Sequence, residues 1–148
     1  MIKAITFDLW ETLIRETSES ARKVREARVR SMYVLLEEQG FPGTLGEVEA
    51  AHERVGEGLR EIWARHEDVG AEGQIQLFLK ALGDGWELPQ DPMALANLEW
   101  AYVSAVLKAL PVPNRGAVEL LGGLRERYRL GLICNTGRTP GTMLKIVL

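Results

Sequence analysis

The sequence predicts an α/β fold, a small parallel sheet interrupted by a block of four helices, and three observations predict it. An apolar run near the start, residues 2–7, breaks into the lone aspartate of ITFDLWETL. A second apolar run, LGLIC at residues 130–134, breaks into NTG. Between them, residues 15–111 carry the period of amphipathic helices and are closed by the boundary PVPN.

Residues 2–7 are mostly β-branched or apolar, the composition of a strand buried on both faces. Ser18 or Ser20 can cap a first helix whose Val24, Met32, Leu35 and Leu36 share a face, and Gly40 with Pro42 ends it. Thr44 and Glu47 have capping-box spacing for a second helix. It buries Val48, Val55, Leu59 and Ile62 before the polar run ARHED, although Gly46, Gly56 and Gly58 weaken it. A shorter third helix carries Ile75, Leu77, Phe78 and Leu82 up to Gly83. Asp91 and Pro92 supply an N-cap and first-turn proline for a fourth, with Leu95, Leu98, Tyr102 and Val106. Past PVPN, whose Asn114 is a helix-capping residue, residues 115–127 read as an amphipathic helix and residues 130–134 as the second buried strand. Thr139 with Pro140 reads as the cap and first turn of a closing helix.

At 148 residues and 46% hydrophobic, the chain can bury a core, and its 26% charged residues are those of an ordinary soluble protein. A net charge of -3 gives no footprint for nucleic acid, and the basic stretch ARKVREARVR alternates like a solvated helix face. There is no signal-peptide pattern and no apolar run of membrane-spanning length, so a cytoplasmic location without membrane attachment is expected. The single cysteine, Cys134, excludes an internal disulfide and a multi-cysteine metal site.

In a parallel α/β sheet, ligands bind beyond the carboxyl ends of the strands. Those ends carry Asp8 from the first strand and Cys134, Asn135 and Thr136 from the second. A carboxylate held there is exposed to a crevice yet rigidly placed, as a nucleophile must be, and the turn after the second strand offers N–H groups to an anion. The residues leave a plainer reading open. Asp8 then caps the following turn, NTGRTPG is a strand-to-helix loop, and Cys134 is a small buried hydrophobe closing a strand.

FDLWETL resembles the first motif of the haloacid dehalogenase-like hydrolase superfamily, and LGLICNTGRTPG resembles its second, in the same order and separated by a helical cap as in many members. The resemblance implies a Rossmann-like parallel core over residues 1–14 and 112–148 and a cap over residues 15–111. It implies that Asp8 attacks phosphorus, or carbon in the dehalogenases, to form a covalent aspartyl intermediate. The carbonyl of Trp10 would join Asp8 in holding Mg²⁺, and Thr12 would shape the turn beneath them. Cys134 falls where the family carries a hydroxyl that bonds the transferring group, with Asn135 beside it. A shifted register makes Thr136 that hydroxyl instead, and Trp10 and Thr136 are the implied substrate contacts. On the cap, His52, His66, Trp63 and Arg54 fall where members contact substrate over the crevice. The plainer expectation is that the histidines are solvated and that Trp63, Trp86 and Trp100 pack between helices.

Two departures qualify the resemblance. The phosphatases of this superfamily carry a second aspartate two residues after the nucleophile, and here Trp10 stands there, whose indole cannot act as acid or base. Glu11 is one place off. The sequence also ends one helix after the second motif, at Leu148, where members continue to a lysine and acidic metal ligands, and Lys145 reads as a surface residue. A sheet of two strands leaves its faces and edges open, so a second copy or a partner chain is expected to complete it. The expected function is hydrolysis of a small phosphorylated or halogenated metabolite through Asp8, with a haloacid dehalogenase and a non-catalytic scaffold as alternatives. Asp8 is expected within reach of Cys134 and Asn135, and the four helices as one separately packed unit.

Overall fold

A computed structural model describes residues 2–148. Strand β1 (Ala4–Phe7) and the short β2 (Ile14–Arg15) lead into helices α1 (Ser18–Glu38), α2 (Leu45–Ala64), α3 (Gly70–Leu82) and α4 (Pro92–Val103). A 3₁₀ turn over Ser104–Lys108 continues α4, and β3 (Val112–Pro113), α5 (Ala117–Arg125), β4 (Arg129–Leu132) and α6 (Gly141–Val147) follow. The expected element order therefore holds, with β2 and β3 added.

β1 and β4 pair in parallel, with Ala4 opposite Arg129 and Phe7 opposite Leu132, so their carboxyl ends lie side by side. β2 and β3 pair antiparallel, Ile14 with Pro113 and Arg15 with Val112, which ties the entry of the helical block to its exit. Neither strand of the parallel pair is buried on both faces as its composition suggested. In β1, Ile5 and Phe7 are half-buried while Ala4 and Thr6 are exposed, and Leu132 in β4 remains 45% exposed. Burial of a strand is set by what packs on its faces, and this sheet has two strands.

The helical block is built on its caps and stripes. Thr17, rather than Ser18 or Ser20, caps α1: its hydroxyl accepts from Ser20 N–H at 3.0 Å, and the Ser20 hydroxyl accepts from Thr17 N–H at 2.8 Å. Thr44 and Glu47 exchange the same pair of bonds at the start of α2, and Asp91 caps α4 through Met93 and Ala94 N–H at 3.3 and 3.1 Å. The four apolar stripes meet in one core that contains Met32 and Leu36, Val48 and Leu59, Ile75 and Phe78, and Leu98 and Tyr102. Met143 of α6 enters the same core and Val147 packs against it, so the closing helix shares the core of the block. Trp86 meets the Phe41 ring edge-on at 5.3 Å, whereas Trp100 faces outward with 57% of its surface exposed, contrary to its expected packing.

Phe78, fully buried where the stripes meet, sets the scale of this core. Phe78→Ala should lower the unfolding free energy by about 3–5 kcal/mol, through lost burial and the cavity left behind. Urea unfolding measures it; a loss below about 1 kcal/mol would show that the site collapses freely and is not the packed centre.

Candidate active site at the strand ends

Asp8 directly follows β1, and the chain then turns back on itself. Leu13 and Ile14 N–H both bond the Leu9 carbonyl, at 2.8 and 3.1 Å, and Glu11 N–H bonds the Ile14 carbonyl at 2.8 Å. Glu11 takes φ 58°, left-handed backbone that a non-glycine residue rarely adopts and that costs about 1–3 kcal/mol. Strain is thus stored three residues from Asp8, in a loop fixed at both sides. Asn114 holds it: its N–H bonds the Leu13 carbonyl at 2.8 Å and its side-chain amide donates to the Thr12 carbonyl at 3.0 Å. Asn114 was expected to cap the following helix with its side chain, but the residue at the N-cap of α5 is Gly116 at φ 79°. Inside the loop the Thr12 hydroxyl donates to Asp8 Oδ2 at 3.2 Å, so Thr12 orients the carboxylate as well as belonging to the turn. The carboxylate is otherwise exposed.

The end of β4 arrives alongside. Ile133 N–H bonds the Phe7 carbonyl at 2.9 Å, continuing the ladder past both strands and bringing Cys134 next to the Asp8 loop. Burial, and then the charge of Asp8, push the Cys134 thiol above its ordinary range, offset in part by the Trp10 backbone N–H donating to the sulfur. Cys134 is therefore a protonated thiol at neutral pH, a weak donor beside Asp8 and no nucleophile of its own. Asp8, Thr12, Trp10 and Cys134 come together as expected. Asn135 and Thr136 turn instead toward cavities between the loop and α2, and neither side chain bonds Asp8. At the closing helix, Pro140 is the N-cap and Thr139 is buried without a capping bond.

A cavity of about 530 Å³ lies where α1, α2 and the loop after β4 converge, walled by Trp10, Trp63 and Asn135. Its charges are unbalanced: Arg25, Arg28, Arg60 and Arg138 line it with one carboxylate, Glu16. Arg25 is paired with Glu53 at 2.9 Å, but among the described residues Arg28, Arg60 and Arg138 have no ion-pair partner. Arg28 is 4% exposed, donates through Nε to the Tyr102 carbonyl at 2.8 Å and lies over the Tyr102 ring. Arg138 reaches from the loop to His52 on α2, with 2.7 Å between its Nη1 and His52 Nε2. A guanidinium only donates, so Nε2 accepts and the imidazole is neutral. Burial first, then the positive charges of Arg138, Arg28 and Arg25, push His52 down to about 3.

His52 is thus buried and engaged, not solvated, while His66 is exposed as expected. Arg54 is engaged elsewhere, donating to the Ala81 carbonyl at the end of α3 at 2.7 Å. Arg138 escaped sequence reasoning, yet Gly56 signalled it. A side-chain carbon on Gly56 would stand 2.5 Å from Arg138 Nη2, so a glycine that weakens α2 also makes room for the guanidinium. Trp63 lies over Gly137 in the same way, 3.4 Å from where a Cβ would stand.

For Mg²⁺, the resemblance assigns the Asp8 carboxylate and the Trp10 carbonyl. Among the described residues no three His, Cys, Asp or Glu side chains are grouped to hold a metal. One carboxylate and one carbonyl leave most of an octahedron to water and substrate, so these donors alone would hold Mg²⁺ weakly. No described helix is long and apolar enough to cross a membrane. No protein-family model matches the chain, and a search of the curated proteins finds no match.

Proposed function

We propose that the chain is a hydrolase of the haloacid dehalogenase-like kind, with a helical cap over a Rossmann-like core, acting on a small anionic metabolite through Asp8. The observation that carries this reading is the position of Asp8. It stands exposed at the carboxyl end of β1, beside the carboxyl end of β4, with the Thr12 hydroxyl on Oδ2 and a strained loop behind it. In the reaction an Asp8 oxygen attacks the electrophilic atom, carbon or phosphorus, and halide or alkoxide leaves. Water then cleaves the aspartyl ester or acyl phosphate, restoring the carboxylate and releasing a proton with the product.

The donor set favours the carbon branch. A departing halide needs no proton, whereas an alkoxide does, and Trp10 supplies none where a second carboxylate would stand. A panel of short 2-haloacids and aryl or sugar phosphates, assayed for halide and phosphate release with and without Mg²⁺, tests the reading. Metal-independent halide release is the expected result. Brisk Mg²⁺-dependent phosphate release would move the assignment to the phosphorus branch. Release of neither would leave the fold a scaffold and overturn the enzyme.

A further inference from the structure

The cavity beside the Asp8 loop concentrates arginine charge far beyond what its own carboxylate balances. Arg28 is buried and uses one of its five donors, on the Tyr102 carbonyl. Arg138 rests on a neutral imidazole, and Arg60 lines the same space from α2 without an ion-pair partner. Of the three, Arg28 is taken out of water without counter-charge, which is costly, so the site is most stable with an anion in it. Trp63 lies on its wall with a buried indole N–H that has no acceptor among the described residues. Asp8 does not line the cavity, but Trp10 of its loop does, as does Glu16 just past β2.

We propose that this cavity is an anion subsite holding a phosphate-sized dianion through Arg28, Arg60 and Arg138, and that the substrate attacked by Asp8 therefore carries a second, separate anionic group. The second half rests on the hydrolase reading and the first half does not. Guanidinium forks from two helices and a loop approach from different sides, which suits the spread oxygens of a tetrahedral dianion better than a planar carboxylate. The aromatic walls then hold the carbon frame between the bound anion and the strand end.

The probe is inorganic phosphate, titrated into the full chain by calorimetry and by tryptophan emission, since Trp10 and Trp63 both border the cavity. Saturable binding is expected, stronger than that of acetate and weakened by added salt. Arg138→Gln and Arg60→Gln should each weaken it by about tenfold or more. Arg60 is exposed, so its variant tests the site even if Arg138→Gln proves unstable; circular dichroism monitors folding. Asp8→Asn should bind phosphate as the wild type does. Absence of saturable binding, indifference to both arginine variants, or loss of binding in Asp8→Asn would each overturn the subsite. With the panel extended to bisphosphates and to haloacids that also carry a phosphate, phosphate binding without turnover of any of them would remove the hydrolase and keep the subsite, whereas turnover without phosphate binding would do the reverse.

Discussion

Asp8→Asn should bring turnover of any substrate found for this protein down to background, a loss of about 10⁴-fold or more, the scale on which enzymes lose rate when a covalent centre is removed. The amide keeps the size of the carboxylate and still offers an oxygen to the Thr12 hydroxyl, so the loop is undisturbed. It lacks the charge and the basicity of a nucleophile. Because Asp8 is exposed, the variant should melt with the wild type, which separates lost chemistry from lost fold. Cys134→Ser provides the contrast. A thiol held protonated by burial and by Asp8 contributes at most a weak hydrogen bond, so this variant should keep most of its activity. Asp8→Asn retaining a substantial share of turnover while Cys134→Ser lost it would transfer the covalent role to the sulfur.

The strand ends were legible because few residue patterns end an apolar run on a lone carboxylate, and because a strand, a crossover and a second strand pair in parallel. Caps were legible for the same local reason: Thr44 with Glu47, and Asp91 with Pro92, act within one turn. The burial of the strands was not legible. Ile5 and Leu132 have the composition of interior residues, but burial depends on neighbouring layers that composition does not specify. The Arg138–His52 contact was hidden for a different reason, since the two residues are 86 apart and neither type is unusual on a surface. Its trace was Gly56, a helix-weakening residue at the centre of α2 with no local purpose. Asn114 misled because capping and loop-bridging use the same amide, and the partner that decided between them, the Thr12 carbonyl, lies 102 residues away.

On acidification from pH 6.5 to about pH 5, above the range where carboxylates take up protons, the folded protein should lose stability chiefly through His52, whose imidazole is pushed from 6.5 to about 3. Unfolded, that imidazole takes a proton near its ordinary value; folded, it refuses one until far lower pH. The unfolded state therefore binds more protons throughout this window, so the loss is absent above pH 6.5 and grows as pH falls toward 3. The slope is about 1.4 kcal/mol per pH unit, hence about 2 kcal/mol by pH 5, or roughly 4–8 °C in melting temperature. The charges facing the ring come from every side: Arg138 from the loop after β4 and Arg25 and Arg28 from α1, with Arg60 of α2, Tyr102 of α4 and the single carboxylate Glu16 nearby. His52→Gln keeps an acceptor for Arg138 without a titrating group, so its melting temperature should fall less steeply between neutral pH and pH 5 than the wild type's. Equal slopes for the two proteins would show that His52 is not the group responsible. Burial first and the arginine charges second hold the imidazole neutral, and an anion seated among the arginines would relieve the second of these. Sulfate, which stays a tetrahedral dianion across this window where phosphate itself takes up a proton, should therefore raise the pH at which folded His52 is protonated, flattening the acid end of the wild-type curve toward that of His52→Gln and leaving the variant's slope nearly unchanged. A wild-type curve indifferent to sulfate all the way to about pH 3, in a protein that binds sulfate, would place the anion somewhere other than beside His52.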